Sequence, residues 1–159
     1  MSEIRCYDYI NHPYAMVRDA LTKDAPQLFQ SATNSAASRA SQLRAGIGGI
    51  GVEADIRISV KNIEEKISEG MSCPVTKLQL EWEAATMPGL FPLMKAEISI
   101  YPLTGSETQL DFWGLYEPPL GPLGKALNAV IGHRIAEASV HRFVSDVARH
   151  LRVSGKASH

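Results

Sequence analysis

The chain has 159 residues, enough for one domain with a sizeable core. Its 16 basic and 17 acidic residues leave a net charge of −1, which excludes both the basic footprint of a nucleic-acid binder and a strongly acidic tail. No apolar run approaches the roughly 20 residues that span a bilayer, the first residues lack a basic-then-apolar leader, and Cys6 and Cys73 form no C-x-x-C pair, so the expectation is a cytoplasmic protein with two free thiols.

Ile4 to Ile10 alternates as a strand. Asn11-His12-Pro13 then opens a short helix, with Asn11 as N-cap and Pro13 in the first turn, carrying Met16, Val17, Ala20 and Leu21. Asp24 caps a second helix, with Gln27 three residues on as its capping-box partner. The stripe of that helix is Leu28, Phe29, Ala32, Ala36, Ala40 and Leu43, small enough for close packing, and Asn34-Ser35 is where it would break. Gly46, Gly48 and Gly51 spell G-x-G-x-x-G. The pattern follows a helical stretch and enters a strand, the reverse of a dinucleotide site, so it reads as a turn.

Strands follow. Val52, Ala54, Ile56, Ile58 and Val60 alternate with polar residues; so do Leu78, Leu80, Trp82 and Ala84, then Met94, Ala96, Ile98 and Ile100, then Leu110, Phe112, Gly114 and Tyr116. Period-two alternation of this kind means antiparallel strands with one wet and one buried face. Gly70, Pro88-Gly89 and Thr104-Gly105-Ser106 mark turns. Glu81 and Glu83 share the wet face with Lys77, and Trp113 also points outward.

Pro118, Pro119 and Pro122 lead into the last element, a helix over Gly121 to Leu151. At about 1.5 Å per residue it is roughly 45 Å long. Val140, Phe143, Val144, Val147 and Leu151 form a core stripe in its second half. Continued backwards in phase, the stripe passes through Ala136, His133, Ala129 and Ala126, while Leu123, Leu127, Val130, Ile131 and Ile135 lie opposite. Two readings stay open. Either the small residues leave a cavity beneath this half, or the helix bends at Gly132 and buries its large residues, which otherwise make a dimer stripe.

Strand, two short helices, antiparallel meander and long terminal helix define an α+β layer arrangement, with a curved sheet wrapped on the last helix. The order of elements resembles the helix-grip fold of the START-like superfamily, which includes polyketide cyclases, plant lipid carriers and Bet v 1-type allergens. Trp82-Glu83-Ala84 with Pro88-Gly89-Leu90-Phe91-Pro92 carries the likeness, as does Thr108-Gln109-Leu110 leading to Tyr116-Glu117-Pro118-Pro119-Leu120-Gly121-Pro122-Leu123-Gly124. The run His133-Arg134-Ile135-Ala136-Glu137-Ala138 is similar to the terminal helix of bacterial members without an assigned role. The resemblance implies one domain over 1–153, with a disordered tail over 154–159, and an apolar pocket between sheet and helix. Some members have more strands than the five or six segments counted here, which implies a small or open pocket.

The expected lining is Trp82, Phe91, Met94, Ile98, Phe112 and Tyr116 from the sheet side, and Ala126, Ala129, His133 and Ala136 from the helix. Tyr116 supplies a polar handle. His133 and Glu137 are helix neighbours four apart, either a base with its orienting carboxylate or a plain surface pair. His133, His141 and His150 do not converge on one face, so neither metal nor cofactor is called for. The functional expectation is binding of a small apolar molecule of lipid, polyketide or isoprenoid type. One alternative is a cyclase or dehydratase using the same cavity, with His133, Glu137 and Tyr116 as catalytic candidates. The other is a protein-interaction module, a homodimer included, using Trp113 or the Leu127 and Ile131 stripe.

Overall fold

The computed structural model describes residues 2–46, 56–67, 70, 73–84, 94–116 and 129–157. In chain order they form β1 (Ser2–Ile10), α1 (Tyr14–Lys23), α2 (Ala25–Gly46), β2 (Ile56–Ile67), β3 (Pro74–Ala84), β4 (Met94–Thr104), β5 (Glu107–Tyr116) and α3 (Ala129–Ala157). The five described strands make one antiparallel sheet in the order β1-β5-β4-β3-β2. β2 to β5 are a meander, and β1 returns from the start of the chain to pair with β5, Ser2 opposite Tyr116.

Alternation places the side chains as expected. Along β5, Thr108, Leu110, Phe112, Gly114 and Tyr116 are buried and the residues between them are not. The register turns these positions into inward rows. Leu78, Ile98, Phe112 and Cys6 form one, and Leu80, Ala96, Gly114 and Ile4 the next. Outward residues pair as ions, Lys77 with Glu97 at 3.4 Å and Glu81 with Lys61 and Lys95 at 3.8 and 4.0 Å. Exposed pairs of this kind contribute about 0–1 kcal/mol each, so this face keeps the sheet wet more than it stabilises it. Trp113 lies on this face, partly exposed, rather than under the terminal helix.

Several local details depart from expectation. Pro13, not Asn11, occupies the N-cap of α1, with φ −59° and no side-chain cap; the Val17 N–H bonds its carbonyl and closes the first turn. Proline supplies the required φ without a cap. Asp24 joins the first two helices through its backbone, its N–H closing on Ala20 and its carbonyl accepting from Leu28. α2 is not short. It runs 22 residues, straight past Asn34 and Ser35: one turn back Gln30 donates to Asn34 along the helix at 3.1 Å, and buried Thr33 accepts the Trp82 indole N–H from β3 at 2.9 Å. β2 continues to Ile67, beyond the alternating segment, with a register shift between Val60 and Asn62. α3 is helical through Ala157, so the backbone of 154–157 is helix where a tail was expected; cations such as Arg152 near this end suit the helix dipole. Val52–Asp55, the Pro88-Gly89 turn, Gly121–Asn128 and the glycine pattern beyond Gly46 lie outside the described residues.

The core sits between the sheet and a helical layer in which α3 packs on β1 and α2, and α2 packs on β2. Each helix also closes an open sheet edge. Gln30 of α2 donates to the Ile56 carbonyl at 2.8 Å and accepts the Ile58 N–H at 3.3 Å, standing in for a neighbouring strand. At the other edge Asp8 accepts the Tyr9 N–H at 2.7 Å and pairs with Arg152 of α3 at 2.8 Å, while Arg152 also donates to the Tyr9 carbonyl. Unpaired strand edges are templates for aggregation, and these side chains occupy them.

Candidate functional site

Four rings fill the middle of the interior. Phe143 of α3 stacks on Phe29 of α2 at 6.0 Å between centroids, and meets Trp82 at 5.2 Å and Phe112 at 6.0 Å edge-on. Trp82 and Phe112 are themselves 6.2 Å apart. Such pairs favour tilted and edge-on geometry. Trp82 and Phe112, expected to line a space, are here packed into the core; Ile98 beneath them is fully buried.

Towards Tyr116 the wall changes. Gly114 and Ala96 are paired neighbours on the inward face, and Gly132 and Ala136 are buried on α3. Next to these small residues stands Tyr116, 2% exposed, whose hydroxyl lies 2.6 Å from Nδ1 of His133. His133 does not enter the interior. Its side chain is 49% exposed, at the rim where α3 passes the sheet. A helix turns about 100° per residue, so the arc that buries Ile135 and Ala136 leaves His133 at its margin. The same arc settles the helix phase: Ile135 is buried in the chain's own core, Ile131 partly so, and Val130 is exposed. That removes Ile131 and Ile135 from the free stripe drawn for a dimer. Leu123 and Leu127 lie outside the described residues, as do Phe91, Ala126 and the side chains of Met94 and Ala129.

A line of polar groups runs along this rim. Nε2 of His133 is 3.5 Å from Oε2 of Glu137; the other Glu137 oxygen is 4.0 Å from Nε2 of His141; and Nδ1 of His141 is 3.6 Å from Sγ of Cys6 on β1. The helix spacing of the three α3 residues is legible in sequence. Their two ends, Tyr116 and Cys6, come from strands that only the sheet order brings alongside. Burial pushes the Cys6 thiol above its ordinary pKa, with the charges of Asp8 and Glu137 adding to it and the Tyr7 N–H opposing. Cys6 is therefore a buried thiol rather than a thiolate nucleophile. Among the described residues no cluster of three His, Cys, Asp or Glu side chains is gathered to hold a metal ion.

Outside α3 lies an open depression of about 1000 Å³ along the solvent face of the helix, with Arg39, Arg134, Glu137, His141, Arg142 and Arg149 around it. It is wide and charged, and it belongs to the helix surface, not to the space beneath. No helix among the described residues is long and apolar enough to cross a membrane.

No family model matches the chain, and no curated protein matches it. Solved structures do. A conserved protein from Geobacillus kaustophilus aligns over 96% of this chain and 97% of its own, with a TM-score of 0.51 and 11% identity. Ara h 8.0201 aligns over 94% and 97%, with a TM-score of 0.44 and 8% identity. The ZhuI aromatase/cyclase from Streptomyces sp. R1128 aligns over 94% and 93%, with a TM-score of 0.45 and 11% identity. The open antiparallel sheet, the helices after β1 and the long terminal helix make a helix-grip arrangement. At these identities the likeness is one of fold alone.

Proposed function

We propose that the protein binds a small hydrophobic molecule between the sheet and α3, at the end marked by Tyr116. One observation carries this reading: a buried tyrosine hydroxyl is bonded to a half-exposed histidine beside a wall of Gly114, Ala96 and Ala136, in an interior otherwise closed by large rings. Polar groups at the edge of an apolar interior are what orient a ligand. The test is binding of an apolar fluorescent dye, together with native mass spectrometry of protein purified without detergent. Ala136→Leu should fill the space and abolish dye binding while the protein stays folded. Wild-type dye binding by a folded Ala136→Leu protein would place the ligand elsewhere.

The order Glu137, His133, Tyr116 favours a second reading. A carboxylate orienting an imidazole that bonds a hydroxyl is the arrangement of general acid–base chemistry. On that reading the Tyr116 oxygen takes a proton from a bound polyketide-like chain during cyclisation or dehydration as its own passes to Nδ1 of His133. His133→Gln should then abolish conversion of such a chain and leave its binding intact; unchanged conversion sinks the reading.

A further inference from the structure

The outward face of the sheet carries an arrangement that owes nothing to the interior. Asp111 stands on β5, with Tyr7 opposite it on β1 and Ser99 opposite it on β4. Alternate residues of a strand share a face. The next outward position on one side of Asp111 is Trp113; on the other it is Gln109, which lies between Tyr9 and Tyr101. Four aromatic residues thus surround one carboxylate. Tyr7 is 62% exposed, Tyr9 44% and Trp113 39%, and the two tyrosine rings meet edge-on at 5.7 Å. Between Tyr7 and Trp113 lies an open depression of about 510 Å³, with Arg5, Ser99 and Asp111 also around it. Clustered exposed rings of this kind mark a contact surface. We propose that the depression binds a small quaternary ammonium compound, held by Asp111 and by the faces of Tyr7 and Trp113.

The charges select a cation. Arg5 is paired with Glu3 at 2.7 Å, Lys77 with Glu97 at 3.4 Å and Lys95 with Glu81 at 4.0 Å. Asp111 has no cation beside it among the described residues. One of its oxygens accepts from the Gln109 amide and the other from the Tyr101 hydroxyl at 3.0 Å, and both donors are neutral. Its charge is therefore uncompensated, and electron-rich ring faces next to it attract a cation further. The same two bonds choose the kind of cation. A primary ammonium has three N–H groups to satisfy, and both oxygens already hold a donor. A quaternary ammonium has none, and needs only charge and ring faces. The Trp113 ring is steadied at its edge: Arg5 and the Trp113 indole N–H, both bonded to Glu3, hold that carboxyl below its usual range.

The experiment titrates the protein with three probes: choline, its uncharged carbon isostere 3,3-dimethylbutanol, and ethanolamine, which keeps the charge and lacks the methyl groups. The readout is the NMR signal of the Trp113 indole N–H. The chain's other tryptophan, Trp82, is buried and bonded to Thr33, and serves as the unmoved control. Choline should shift Trp113 alone at millimolar concentrations. It should bind at least about tenfold more tightly than the isostere, through two ring contacts and one carboxylate, and about threefold more tightly than ethanolamine. Asp111→Asn should weaken choline about fivefold, and Tyr7→Leu about two- to fivefold. Tyr7 is exposed, so its replacement leaves the core intact and tests the proposal even where Asp111→Asn perturbs the sheet. A still Trp113, or equal responses to choline and the isostere, overturns the proposal. Ethanolamine binding as tightly as choline overturns the quaternary preference. Unchanged choline affinity in folded Asp111→Asn overturns the role given to the carboxylate.

Discussion

At the Phe143 end of the interior four rings from α2, α3, β3 and β5 meet face and edge, whereas at the Tyr116 end glycine and alanine face one another and a tyrosine reaches out to a solvent-exposed histidine. Both ends lie under the same helix and on the same strands. The difference is one of side-chain volume and polarity, since the backbone scaffold is shared. The filled end holds the layers together, and the small-residue end can then do without stability of its own.

The sharpest way to break this comparison is to remove the central ring. Phe143→Ala should cost about 3–5 kcal/mol, because it deletes contacts to three other rings and leaves a hole. Urea denaturation measures it; a loss below about 1 kcal/mol would mean that the rings do not hold the layers. A paired insertion tests both ends together. Ala148→Leu, on the fully buried second half of α3, should cost about 1–3 kcal/mol through overpacking, and Ala136→Leu, equally buried, should cost below about 1 kcal/mol on the binding reading proposed above. Equal costs erase the distinction.

The smallest effect lies away from both ends and sets the background for them. On the outer face the Tyr101 hydroxyl is pushed up to about 12 by burial and by the neighbouring Asp111 carboxylate, which accepts its hydrogen bond at 3.0 Å. Between its ordinary value near 10 and about 12 the folded state holds the proton that the unfolded state has released. Stability therefore falls as pH rises across that window, and Tyr101→Phe should flatten the fall. The side chain is partly exposed, so solvent screening keeps the change small. An unaltered alkaline slope in the variant would rule this assignment out.

Much of this architecture was legible in the residues. The alternation of Leu110, Phe112, Gly114 and Tyr116 gave the buried face, and the stripe from Val140 to Leu151 gave the helix that covers it. What could not be read was which large residues meet. Trp82 and Phe112 carry the inward phase whether they line a space or close it, and only the arrival of Phe29 and Phe143 from two helices decides. His133 was placed one face too far inward because a helical stripe has no sharp margin. The Cys6 contact and the strand edges capped by Gln30 and Arg152 were out of reach, since the partners are 26 to 144 residues apart in sequence.

That separation matters while the chain is being made. β1 pairs only with β5, so Ser2 waits for Tyr116, and Asp8 waits longer still for Arg152. At about 5–20 residues per second, some 100 residues of synthesis take roughly 5–20 s. During that interval α2 and the strands β2 to β4 can begin to assemble, while the first strand, with Tyr7 and Tyr9 on one side and Ile4 and Ile10 on the other, has no place in the sheet until β5 is made. The strand at one edge of the sheet is thus the one whose place depends on the most distant stretch of the chain.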